Sequence, residues 1–158
     1  MSWLSKFIYI GNIMNIGFYI KSLSEDKQLQ HIAPIINKNI EHNAISDASI
    51  FYDGVGFVPY FLDCGLFNST DLWGFRGTLV TMNIDCLKKS IKIVNNIKTV
   101  FYYGWEDIDV FNLLYVVSKK IPIICKTDQD KNKIYRLTKY NANIVTEENF
   151  VDVIKDIL

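Results

Sequence analysis

Residues 77–83 (GTLVTMN), 99–107 (TVFYYGWED), 121–128 (IPIICKTD) and 142–149 (ANIVTEEN) each open the same kind of unit. A short apolar run is followed by a few polar residues and then by an amphipathic helical pattern. The helices are predicted over 85–97, 110–119, 130–140 and 149–158. Apolar runs of about four to six residues, alternating with helical stretches of about ten to fifteen, mark parallel βαβ units. Upstream, Ile16–Ile20 and Ala48–Tyr52 read as two more strands. Between them a helix starts at Ser24-Glu25-Asp26 and carries Leu29, Ile32, Ile36 and Ile40 on one face. Pro34 predicts a kink in that helix, or a break near Ala33.

These elements predict a three-layer, doubly wound α/β domain over residues 14–158. Its sheet is mainly parallel, has about six strands and carries helices on both faces. Residues 57–75 (FVPYFLDCGLFNSTDLWGF) show neither helical nor strand period and are the one long irregular segment. Their aromatics serve either to pack over the sheet or to meet a ligand or partner. Met1–Ile13 (MSWLSKFIYIGNI) holds one lysine and an apolar run too short to span a bilayer, with no cleavage pattern. Met14 is the expected natural start, and residues 1–13 read as an upstream extension or a loosely attached strand.

The chain has 158 residues, with 17 basic against 17 acidic side chains and 49% hydrophobic content. A chain of this length buries roughly two-thirds of its unfolded surface, enough for one sizeable core. A neutral balance without a basic stripe argues against nucleic-acid binding, and no segment predicts a membrane partner. Cys64, Cys86 and Cys125 are too far apart for a CxxC pair or a disulfide framework, which favours a cytoplasmic setting. With only His31 and His42 besides, no metal site is expected. The two histidines fall on roughly one face of the first helix and read as surface residues.

In open parallel sheets ligands sit beyond the carboxyl ends of the strands, where strand order reverses. Neither a G-x-G-x-x-G fingerprint nor a P-loop occurs. Asp53 ends the second strand, where a carboxylate can meet a ribose hydroxyl; a turn aspartate capping its own backbone is the alternative. Thr81 closes the third strand, ahead of Asn83 and Asp85, the latter a plausible helix N-cap. Gly104-Trp105-Glu106-Asp107 is the most chemically loaded segment. There Glu106 and Asp107 are the candidate catalytic carboxylates, with Trp105 as an apolar wall for a sugar ring; first-turn acids favoured by the helix dipole are the alternative. Lys126 and Thr127 set a cation and a hydroxyl against a helix N-terminus, an anion site; a cap made by Thr127 or Asp128 is the alternative. Five of these residues, Asp53, Thr81, Glu106, Lys126 and Thr127, are expected to converge at the carboxyl edge of the sheet.

GTLVTMN (77–83), FYYGWED (101–107), PIICKTDQDKNKI (122–134) and ANIVTEENFVDVIKDI (142–157) resemble the small glycosyltransferase-like proteins of large tailed phages. More distantly they resemble one Rossmann-like half of a GT-B glycosyltransferase. The resemblance spans about half the chain and implies a nucleotide-sugar ligand with no resident cofactor. A complete GT-B enzyme needs two such domains, so a reduced or non-catalytic protein is implied. A different class of reading is a Rossmann-like module that binds a protein partner through residues 57–75.

Overall fold

The structure, a computed structural model, describes residues 14–93 and 96–158. The extension expected over residues 1–13 lies outside them. Strand β1 (Met14–Ser22) leads to helix α1 (Asp26–Glu41) and strand β2 (Ile45–Gly54). Strand β3 (Gly65–Asn68) and a 3-10 helix (Ser69–Gly74) precede β4 (Gly77–Thr81) and α2 (Ile84–Ser90). The rest alternates: β5 (Ile97–Tyr102), α3 (Val110–Ser118), β6 (Ile123–Cys125), α4 (Asp128–Thr138), β7 (Asn143–Ile144) and α5 (Phe150–Ile157).

All seven strands join one sheet in the order β3-β2-β1-β4-β5-β6-β7, and every neighbouring pair is parallel. A parallel sheet covered on both sides has central strands without polar alternation. Accordingly Phe18, Tyr19 and Ile20 are all buried, as are Val100, Phe101 and Tyr102. Phe18, Ile50, Val80, Val100 and Ile124 face α1 and α5, whose Leu29, Ile32, Ile36, Phe150 and Ile154 cover them. On the opposite face, Phe101, Ile123 and Cys125 pack against Leu87, Leu113, Val116 and Ile134 of α2, α3 and α4. Tyr19, Phe51 and Leu79 meet Leu72 of the 3-10 helix, Phe75 and Cys86. The result is a three-layer, Rossmann-like arrangement whose strand order reverses between β1 and β4. Among the described residues no helix is long and apolar enough to cross a membrane.

The expected sheet of about six strands has seven among the described residues, because the irregular segment supplies β3. Preceding it, Val58, Tyr60, Leu62 and Cys64 pack on the core while Phe57, Pro59, Phe61 and Asp63 point outward. That is an alternating extended crossover, hidden in the sequence because aromatics occupy both sets of positions. Of the kink or break expected at Pro34, the break does not occur, since α1 runs from Asp26 to Glu41 with Pro34 inside it. Pro34 and Gln30 are both exposed, so the carbonyl deprived of its helical N–H can turn to water.

Candidate functional site

The carboxyl ends of β1, β5 and β6 open onto a crevice at the start of α1. It holds a cavity of about 480 Å³ lined by Glu25, Lys27, Gln28, Gly104, Trp105 and Lys126. That volume falls within the roughly 300–1,000 Å³ usual for small-molecule sites. Gly104 has φ of +111°, a left-handed turn open to glycine, and a Cβ there would stand 3.1 Å from Asp130 Oδ2. The turn brings Trp105 back over the edge of the sheet. There Lys126 Nζ lies 3.8 Å from the centre of a Trp105 ring, a cation–π contact.

Beneath Trp105 lies a half-buried aromatic cluster. His31 of α1 packs 4.9 Å from Trp105 between ring centres, and its Nε2 lies 2.7 Å from the Tyr102 hydroxyl. Burial, and then the neighbouring Lys126 charge, push the His31 pKa down to about 4, so the imidazole is neutral at pH 7. The positive charge facing the crevice is therefore that of Lys27 and Lys126, beside the positive end of the α1 dipole. Glu25, at the N-cap of α1, makes no side-chain cap hydrogen bond.

A polar relay crosses the same edge. Glu106 accepts from the Ile84 backbone N–H at 2.5 Å and from Asn83 Nδ2 at 3.3 Å. Asn83 Oδ1 in turn accepts from Gln28 Nε2 at 3.4 Å. Gln28 is only 2% exposed, yet its Oε1 has no protein partner, and neither does the buried Trp105 Nε1. Leaving such a group unsatisfied costs about 1–3 kcal/mol, which an ordered water or a ligand group in the cavity would recover.

No protein family, curated protein or solved structure matches this chain. The chemistry of the site therefore rests on its own geometry.

The five residues expected to converge do not form one site. Thr81 is fully buried, and its Oγ1 donates to the Val100 carbonyl at 3.1 Å inside the sheet. Asp53 turns to the α2 side, where Tyr19 Oη (2.8 Å), Ser69 Oγ (2.5 Å) and Lys89 Nζ (2.8 Å) all donate to it. Those donors take three of the carboxylate's roughly four acceptor positions. Thr127 and Lys126 diverge: Thr127 Oγ1 accepts from the Asp130 N–H at 3.1 Å as the N-cap of α4, while Lys126 goes to Trp105. Glu106 is engaged at the start of α2, and Asp107 stays exposed in the following loop. The N-cap of α2 is Asn83, with Asp85 in the first turn and 3.4 Å from Lys21 Nζ. Trp105 and Lys126 are thus the members of the predicted set that line the cavity.

Two cavity residues, Gln28 and Lys27, and His31 packed beneath Trp105 escaped the sequence reading. Gln28 had a signal: it stands four residues before Ile32, a polar side chain on the inward stripe of α1. His31 had the same one, at the edge of that stripe. Lys27 had none, because it is an exposed lysine in the first turn of a helix. Burial pushes the Cys64 and Cys86 thiols up to about 12 and Cys125 up to about 11, so none offers a thiolate near neutral pH. Among the described residues no three His, Cys, Asp or Glu side chains cluster to hold a metal ion.

Proposed function

We propose that the crevice binds a nucleotide-sugar-type ligand, an anionic phosphate linked to a hydroxyl-bearing ring, as a glycosyltransferase-like domain without a complete catalytic apparatus of its own. The observation that carries this is the joint lining of one carboxyl-edge cavity by Trp105, Lys27 and Lys126. Phosphate suits the two ammonium groups beside a helix N-terminus. A ring suits the Trp105 indole, and Lys126 can exchange its cation–π contact for a phosphate oxygen. No step of group transfer is assigned. Glu106, the candidate acid or base with the best position, is already committed to Asn83 and Ile84.

Calorimetric titration with UDP-glucose and GDP-mannose tests this reading. Binding of one of them should weaken about tenfold in Lys126→Met, the loss of one charge-assisted contact of about 1.5 kcal/mol. The absence of binding by both nucleotide sugars and by their nucleotides would refute it.

A second reading, a protein-interaction module, rests on the β3 flank. Phe57, Phe61 and Trp73 there are 83%, 78% and 63% exposed. That reading predicts no stabilisation by any nucleotide.

A further inference from the structure

We infer that Gln28 and Trp105 form a donor–acceptor pair that selects the hydroxyl-bearing part of the ligand, and that Glu106 sets its polarity from outside the cavity. The inference rests on the nucleotide-sugar reading and adds which residues discriminate the sugar from the bare nucleotide.

The polarity follows from elementary hydrogen-bond chemistry. An ionised carboxylate only accepts. Glu106 therefore requires Asn83 to turn its amide NH₂ toward it, as seen at 3.3 Å. Asn83 is left presenting Oδ1 to Gln28, which must answer with its own NH₂, as seen at 3.4 Å. Two amides that could each have been reversed are thus fixed in sequence by one charge. What remains at the end of the relay is Gln28 Oε1, an acceptor without a partner on a side chain 2% exposed. Trp105 Nε1 has only donor chemistry and is likewise buried without a partner. Both residues line the same cavity.

A buried acceptor and a buried donor on two residues that line one cavity suit a neutral group that both gives and takes a hydrogen bond. Sugar hydroxyls do so; phosphate oxygens, which only accept, cannot satisfy Gln28. The two lysines and this neutral pair therefore divide the cavity by chemistry. A site with buried unpaired polar groups discriminates strongly against a ligand that lacks the matching group.

The measurement is the ratio of UDP to UDP-glucose dissociation constants, with the GDP and GDP-mannose pair in parallel, for the full chain. The wild type should favour the sugar-bearing ligand of its preferred pair about tenfold or more. Trp105→Phe, which keeps the ring and removes the N–H, and Gln28→Met, which keeps the length and removes the acceptor, should each bring the ratio near one. Glu106→Gln, whose own amide lets the relay reverse, should lower it too, an effect that mere loss of α2 stability would not produce. Circular dichroism verifies the fold of each variant, and the two cavity variants are independent of one another. A ratio unchanged in both, with nucleotide binding intact, means that solvent or the two side chains themselves satisfy these atoms, and it overturns the inference alone. A wild-type ratio of one does the same. If neither nucleotides nor nucleotide sugars bind, the proposed function falls and this inference with it.

Discussion

Asp53 shows how one side chain can leave a ligand role for a structural one. Burial alone would raise its pKa, but hydrogen bonds from Lys89, Ser69 and Tyr19 outweigh that and hold the carboxyl below its usual range. A depressed acid contributes stability above its unfolded pKa, near 3.9, and loses it as pH falls through the folded value. Asp53→Asn should cost about 1–3 kcal/mol at pH 7 and flatten the acid limb of a urea-unfolding series below pH 4. An unchanged acid limb would deny the three donors their role. His31 gives the complementary case. Its folded pKa of about 4 lies below the unfolded 6.5, so the unfolded chain binds the proton better between those values. Stability should fall as pH drops from 6.5 to 4 and level off below, with a slope under the one-proton limit of about 1.4 kcal/mol per pH unit because the ring is only half-buried. NMR titration of the imidazole should give a midpoint near 4, and His31→Gln should remove the slope. A midpoint near 6.5 would place the ring in water rather than against Tyr102 and Trp105.

Elements carry the next set of consequences. Thr127 caps α4, so Thr127→Ala should lower stability by about 1 kcal/mol in denaturant titrations. A drop in nucleotide affinity in its place would return Thr127 to the ligand site. In α1 the exposed Pro34 removes one helical hydrogen bond, and Pro34→Ala should raise stability by about 1–3 kcal/mol. A loss of stability would show that the proline sets a bend the sheet requires.

The elements also show what the chain makes legible. The cores of β4, β5 and β6 are short buried runs (Leu79-Val80, Val100–Tyr102 and Ile123–Cys125) bounded by helices, and β1 and β2 hold apolar runs bounded by a cap and a turn. Burial on both faces writes itself into such sequences. Strand β3 is four residues of half-exposed edge, GLFN, with nothing to separate it from the aromatics around it. The site was less legible than the fold. Strand ends can be counted from sequence, and that count reached Trp105 and Lys126. Which way a side chain turns at a strand end depends on its neighbours. Asp53 finds three donors on the α2 face, Thr81 finds a carbonyl in the next strand, and Glu106 finds the first N–H of a short helix and the Asn83 amide.

At the scale of the whole molecule, the order β3-β2-β1-β4-β5-β6-β7 is what gives the crevice its place. The chain leaves β1 toward one edge and returns at β4 to build the other half, so the loops after β1, β5 and β6 surround the reversal rather than fill it. A wider groove of about 570 Å³ lies on the exposed β2–β3 flank, between Asp47, Phe67 and Arg76. Its wall includes Asn15 and Asp47 from the opening halves of β1 and β2, away from the edge where parallel sheets bind ligands. Trp105 lines the crevice, whereas Trp73 lies on the 3-10 helix that supplies Asp71 and Gly74 to the wider groove. In an NMR titration with UDP-glucose and GDP-mannose, the indole N–H resonance of Trp105, assigned by its loss in Trp105→Phe, should shift saturably with one of them while that of Trp73 stays in place. A Trp105 resonance that remains fixed at saturating concentrations of both nucleotide sugars would contradict the proposal that this crevice is the binding site.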